Sequence, residues 1–266
     1  MIVVKIGGSV VENLHESFVE DLKEQMDEGG VVLVHGGGRQ ITKVAERLDK
    51  PQVFIRSPKG FQSRYTDWET LEILVMVVAG LVNKMVVAEL QRAGVKAFGL
   101  SGVDGGLIRA ERKRRLLILD ERGRRRFIEG DYSGRIVQTN TQLLLQLLEE
   151  GYLPVVAPVA LGVDGTPLNV NGDRAAAHIA ASLEAEALVF LTDVEAVLLD
   201  GKPLRRILAG QVAEILPKIG AGMSTKLYAA AEAVSLGAKR AVISSGLVEK
   251  PITVALRGGG SVIEGA

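Results

Sequence analysis

MIVVKIGGSVVENLHESFVEDLKEQMDEGGVVLVHGGGRQITKVAERL, residues 1–48, shows one event twice: an apolar run ends in glycines and a stretch with helical spacing follows. Met1–Ile6 and Val31–His35 are near-continuously apolar, as strands buried on both faces are. Residues 16–28 and 39–48 have helical periodicity. Gly29-Gly30 falls just past the first helix, where a C-terminus favours a left-handed residue. Strand, helix, strand, helix implies parallel strands with helices laid over their faces.

Working outward, the alternation continues. Ala97–Leu100, Leu153–Ala157, Ala187–Thr192 and Arg240–Ser244 read as further buried strands. Residues 68–93, 139–150, 173–185 and 223–237 read as helices, and Gly94, Gly151 and Gly237 stand near their ends. The expected fold is α/β, a three-layer αβα sandwich around a mostly parallel central sheet. Residues 107–129, LIRAERKRRLLILDERGRRRFIE, break the pattern: two strand-like runs flank an Asp-Glu-Arg-Gly turn and predict a β-hairpin. Leu168–Gly172 marks a passage between an N-terminal lobe, 1–167, and a C-terminal lobe, 168–266. There is no internal repeat and no low-complexity tract.

Composition narrows the chemistry. The 266 residues include no cysteine, which removes disulfides, thiol nucleophiles and thiolate metal sites together. The three histidines, His15, His35 and His178, form no ligand pair, so no metal site is expected. Formal net charge is zero, giving no global attraction to nucleic acid or to an anionic membrane. The N-terminal apolar run breaks at Gly7-Gly8, unlike a signal peptide. The longest apolar stretch, Ile73 to Val82, is about half of what a membrane-spanning helix needs. The expectation is a cytoplasmic protein with no membrane segment.

Five segments can carry chemistry. Lys5-Ile-Gly7-Gly8-Ser9 follows a strand, and its glycines let backbone amides approach a phosphate chain beside a fixed positive charge; alone, it also reads as a plain turn. Val34-His35-Gly36-Gly37-Gly38 matches neither G-x-G-x-x-G nor a P-loop, which leaves an anion cradle at a helix N-terminus or a tight turn. Leu168-Asn169-Val170-Asn171-Gly172-Asp173 precedes an alanine-rich helix, where Asp173 serves equally as a helix cap. Leu191-Thr192-Asp193-Val194 ends a buried strand. Gly220-Ala221-Gly222-Met223 opens a helix, and Lys226, one turn in, can reach back towards bound phosphates.

In this order along the chain, the five segments resemble the amino-acid-kinase superfamily over residues 1–265. Within it, Val34–Gly38, Gly60 to Asp67, Val82-Asn83-Lys84 and Gly99 to Gly105 resemble the acetylglutamate kinase group. The resemblance implies ATP-dependent phosphorylation of a side-chain carboxylate on an amino acid with a blocked α-amino group. Lys5 and Lys226 would bracket the transferring phosphoryl group, with Asp173 holding both. Gly7, Gly8 and Ser9 would cradle the ATP phosphates, and Thr192, Asp193, Gly222 and Met223 would line the nucleotide site. Gly37, Gly38, Arg64 and Asn169 would hold the acceptor, with Arg64 on its α-carboxylate and Asn169 at the blocked amino end. An ionised carboxylate needs no general base, and Mg2+ would bind mainly through the nucleotide phosphates.

Departures from that group point to one branch. Gly60-Phe-Gln-Ser-Arg64 is two residues longer before the arginine than the usual pattern, and Val103 stands where the group usually has lysine. Residues 109–126 hold nine Lys or Arg against three Asp or Glu. These features resemble kinases acting on α-aminoadipate or glutamate attached to a small acidic carrier protein of the LysW type, in lysine and arginine biosynthesis. Arg112, Lys113, Arg114, Arg115, Arg124 and Arg125 would then dock the carrier; the alternative is a charged strand edge that discourages aggregation. Alanine at Ala196, where glycine is common, puts contacts of that loop in doubt. Competing readings are an N-acetylglutamate kinase of arginine biosynthesis and an inactive nucleotide-binding sensor. The resemblance further implies a homodimer built on the apolar helix 68–93. The chain opens directly on a strand, without the extra N-terminal helix of arginine-sensitive members, so no arginine feedback is expected.

Overall fold

Side-chain alternation in the first strand sets the layers. The computed structural model describes residues 1–7 and 15–265, so Gly8 and Ser9 lie outside the described residues. In β1 (Ile2–Ile6), Val3 enters one apolar core, while Ile2, Val4 and Ile6 enter another on the opposite face. Lys5, in step with Val3, therefore points into the first layer.

The following strands are β2 (Val31–His35), β3 (Phe54–Arg56), β4 (Gln62–Arg64), β5 (Ala97–Gly102) and β6 (Ile108–Arg112). Next come β7 (Arg115–Leu119), β8 (Arg125–Glu129), β9 (Gly134–Thr139), β10 (Leu153–Gly162), β11 (Pro167–Asn169) and β12 (Ala187–Thr192). The two-residue pair β13 (Leu198–Leu199) and β14 (Lys202–Pro203) precedes β15 (Arg206–Leu208), β16 (Arg240–Ser245) and β17 (Ser261–Glu264). The main sheet runs β15-β17-β16-β12-β1-β2-β10-β6-β9, with β5 and β11 also paired to β10. Its pairings are parallel except β10–β11, β16–β17 and β6–β9.

The helices are α1 (Phe18–Gly29), α2 (Gly38–Arg47), α3 (Trp68–Leu74), α4 (Asn83–Arg92), α5 (Gln142–Glu149), α6 (Gly172–Ser182), the one-turn α7 (Val212–Ile215), α8 (Ala221–Leu236) and α9 (Pro251–Leu256). Residues of α1, α4 and α9 pack against Ile2, Val4 and Ile6. Alanines of α6 and α8, with Leu144 of α5, pack against the Val3 side. The chain thus forms the expected α/β sandwich around a mostly parallel sheet. Gly30, with φ of 82°, ends α1 as the sequence requires.

Two expectations change in detail. The hairpin forms where β7 and β8 pair across the Asp120–Arg124 turn, and Asp120 accepts from the backbone N–H of Arg122 and Arg124. Its first run divides, however: Ile108–Arg112 joins the main sheet as β6, and β3 and β4 extend the hairpin into a second sheet, β4-β3-β7-β8. Periodicity marks a short strand without naming its partner. The helix read over 68–93 forms, but the comparison of its apolar run, 73–82, with a membrane span changes. α3, a wide π-helical segment (Val75–Val82) and α4 form one helix, Trp68–Arg92, of 25 residues, long and apolar enough to match a membrane span by length and composition alone. Its inner side packs Ile73, Leu74, Val77, Val78 and Val82 on Ile41 and Ala45 of α2 and on Ala157 and Val159 of β10.

Candidate active site

Lys5 ends β1 at the carboxyl edge of the parallel strands, where open α/β sheets bind ligands. Directly opposite begins α6, capped by Asn171, whose Oδ1 accepts from the Arg174 N–H at 3.0 Å. The cap fixes the first turn and aims Asp173 at the strand ends. The Asp173 carboxylate joins two lysines: Oδ1 meets Lys5 Nζ, and Oδ2 lies 3.2 Å from Lys226 Nζ on α8. Lys5 and Asp173 are both buried. Burial pushes the Asp173 carboxyl up, but the charges of Lys5 and Lys226 and their hydrogen bonds outweigh it and hold it below the ordinary carboxylate range. Burial lowers the Lys5 amine, aided by the Lys226 charge and opposed by Asp173. Two cations sharing one anion leave one positive charge in surplus, which suits an anionic ligand.

Lys5 and Asp173 line a cleft of about 860 Å³, and Lys226, which does not line it, is tied to it through Asp173. Lys5, Gly37, Gly38, Arg64, Lys113, Asn169, Asp173 and Gly222 line it. At Gly37 packing, rather than dihedrals, favours glycine: its φ of −176° is extended, but a Cβ would come 3.1 Å from Val78 Cγ2, close enough that Val78 must shift. At Gly38 a Cβ meets open space. Arg64 is buried and forms no ion pair among the described residues; Nη2 donates to the Gly38 carbonyl at 3.1 Å and to Thr42 Oγ1 at 3.0 Å, and Nη1 donates to Gln52. Burial lowers its pKa. Asn169 Nδ2 donates to Thr66 Oγ1 at 2.9 Å.

Sequence reading assigned no role to the residues that hold these in place. The imidazole of His35 is buried; Nδ1 bonds the Gly36 carbonyl at 2.8 Å, and Nε2 lies 3.1 Å from Asn83 Nδ2. Asn83 also donates to the Val155 carbonyl at 2.9 Å. An Nδ1–H tautomer satisfies both contacts. Burial, with the charges of Lys5 and Lys84, lowers His35 to about 4 despite its bond to Gly36. Asp131 and Thr66 buttress the acceptor side from behind. His35, Asn83 and Thr66 lie inside segments that the sequence singled out, without a role of their own, whereas Asp131 lies outside all of them.

The remaining candidates spread more widely. Gly7 follows β1 directly. Thr192 is buried, and its hydroxyl closes a turn on Val194, donating to the carbonyl at 2.9 Å and accepting from the N–H at 3.0 Å. Asp193 is exposed, and neither it nor Thr192 lines the cleft. Met223 packs against the main core. The Ala196 methyl is buried in the interior. Of the basic residues assigned to docking, Lys113 lines the cleft, Arg112 lies 3.7 Å from the Tyr132 ring centre and Arg115 lies 4.9 Å from that of Phe127. Arg124 pairs with Asp120 at 3.0 Å; all six are exposed, and Arg114 and Arg125 have no ion pair or ring contact among the described residues. No group of three His, Asp or Glu that could hold a metal occurs among the described residues.

Comparisons with known proteins give the family. The amino acid kinase family model matches residues 1–245. The chain is 44% identical over 264 residues to the LysW-aminoadipate/LysW-glutamate kinase of Saccharolobus solfataricus, covering 99% of each chain. It is 52% identical over 256 residues, 96% of each chain, to a protein of Cenarchaeum symbiosum (strain A) that bears the same name provisionally. The solved protein smu.665 of Streptococcus mutans UA159 superposes with a TM-score of 0.82 at 28% identity, covering 100% of this chain and 98% of that one. With these matches and a lysine–carboxylate–lysine arrangement at its cleft, the chain belongs to the amino acid kinase family of phosphotransferases.

Proposed function

We propose that the chain transfers the γ-phosphoryl group of ATP to the side-chain carboxylate of α-aminoadipate or glutamate held on an acidic carrier protein of the LysW type, in lysine biosynthesis. The observation that carries this reading is Asp173 joining Lys5 to Lys226 beside the cleft. Phosphoryl transfer asks a protein chiefly for alignment and for positive charge around the transferring group. Lys5 and Lys226 supply that charge, and Asp173 fixes their spacing. Arg64, without a carboxylate partner among the described residues, takes the acceptor α-carboxylate, and Asn169 takes the blocked amino end. Gly37 and Gly38 leave the cleft floor bare for the acceptor. Gly7, Gly222, Met223, Thr192 and Asp193 are assigned to the nucleotide side.

The acceptor carboxylate is ionised at neutral pH, so no base is required, and a neutral His35 is consistent with that. Mg2+ neutralises the nucleotide phosphates; both oxygens of Asp173 are engaged by lysines, so phosphates and water are its main ligands. The exposed arginines of the β7–β8 ribbon, Arg114 and Arg125 foremost, attract the acidic carrier. We further assign acceptor binding to 1–167, nucleotide binding to 168–266, a homodimeric assembly and a cytoplasmic location. ADP release in Mg-ATP tests the reading: turnover is expected with carrier bearing aminoadipate or glutamate. Turnover with free N-acetylglutamate alone would overturn the carrier assignment, and no turnover with either would overturn the kinase assignment.

A further inference from the structure

Asp131 is 2% exposed, and no cation pairs with it among the described residues. Its carboxylate is instead satisfied by neutral donors. Oδ2 accepts from the Thr66 N–H at 2.8 Å; Oδ1 accepts from the Ser133 N–H at 3.0 Å and the Ser133 hydroxyl at 2.5 Å. Thr66 passes this restraint on. Its hydroxyl accepts from Asn169 Nδ2 and donates to the Arg64 carbonyl at 3.2 Å. The backbone repeats the connection: the Tyr132 N–H reaches the Thr66 carbonyl at 2.8 Å, and the Asn169 N–H reaches the Tyr132 carbonyl at 2.9 Å. Two segments distant in sequence, 64–66 and Asn169, are thereby fixed to one turn, 131–133.

Arg112 clamps the same turn from outside. Its Nε donates to the Asp131 carbonyl at 2.9 Å, and its guanidinium lies over the Tyr132 ring. Although Arg112 is exposed, its Nε bond and its ring contact both anchor the guanidinium to the 131–133 turn. We propose that Asp131 and Arg112 are positioning residues that hold Asn169 and Arg64 in register for the acceptor, and that Arg112 does not belong to the carrier-docking surface. This inference rests on the acceptor roles given above to Arg64 and Asn169.

Steady-state kinetics on the full chain separate positioning from docking. Asparagine at 131 cannot accept at both oxygens, so Asp131→Asn turns an amide N–H2 against one of its donors. Asp131→Asn is expected to raise the acceptor KM and lower kcat, together about tenfold or more, as for a misplaced buried hydrogen bond; the KM for ATP stays unchanged. Arg112→Ala is expected to follow the same pattern at low and at high salt. Arg125→Ala, by contrast, raises the KM of the same carrier-borne acceptor with kcat unchanged, and the effect fades as salt screens exposed charge. Ser133→Ala removes one hydroxyl and provides the same readout should Asp131→Asn fold poorly. An acceptor KM unchanged in Ser133→Ala and Asp131→Asn, or raised equally with that of ATP, overturns the proposal. So does an Arg112→Ala that behaves as Arg125→Ala does. An acceptor KM unchanged in Arg64→Ala overturns the acceptor assignment beneath it.

Discussion

Asp173 carries the heaviest electrostatic duty in the chain, because it balances two lysines in a buried setting. Asp173→Asn keeps its volume and leaves two uncompensated cations. Removing one partner of a buried pair costs about 3–5 kcal/mol, so the urea midpoint should fall accordingly. Misplaced lysines should also lower kcat about 10²–10³-fold, the range found when one stabilising donor is lost. A variant of wild-type stability and turnover would refute the assignment. His35 gives a pH prediction. Its imidazole is about 4 in the folded chain against an ordinary 6.5. Below 6.5 the unfolded chain takes up a proton that the folded chain refuses until about 4. Stability is therefore complete above 6.5 and lost as pH falls towards 4, by roughly 3 kcal/mol. Urea midpoints from pH 7 to 4 should decline less steeply in His35→Gln; parallel curves would contradict this.

At the scale of elements, the β2–α2 junction separates packing from binding within two residues. Gly37→Ala forces a methyl towards Val78 and should cost about 1–3 kcal/mol by overpacking. Adding Val78→Ala should relieve the clash, leaving the double variant nearer wild type than the sum of the two changes. Gly38→Ala meets open space and should keep the urea midpoint, yet raise the acceptor KM because its methyl enters the cleft. Equal stability losses at both glycines would remove the distinction. The ribbon follows similar logic: β7 and β8 were legible from their turn, but their union with β3 and β4 depends on a single long-range register, Arg56 beside Leu119.

At the scale of the molecule, the helix Trp68–Arg92 has two unlike sides. One fills the core; along the other, Met76, Leu81 and Met85 remain 56%, 51% and 64% exposed, spaced five and four residues apart. Exposed apolar side chains in a row suit a partner surface, and the proposed homodimer would use this one. Met85→Asp should convert a dimer into monomers in sedimentation without changing the fold; a wild-type monomer would refute the assembly.

The sequence by itself determined the sandwich, because strands buried on two faces read as unbroken apolar runs. Lys5, Asp173 and Lys226 stood out through the order of the segments and the resemblance it carries, and the structure brings the three together. What only the tertiary structure decided were partnerships across the chain. It drew Ile108–Arg112 into the main sheet, committed Arg112 to Tyr132, turned Lys113 into the cleft and set Asp131 behind Thr66 and Asn169. The physical reason is that a hydrogen bond between residues 66 and 131, or 66 and 169, leaves no periodic trace. Local propensity fixes which elements form, while the partner of each polar group is settled only when distant segments compete to satisfy it.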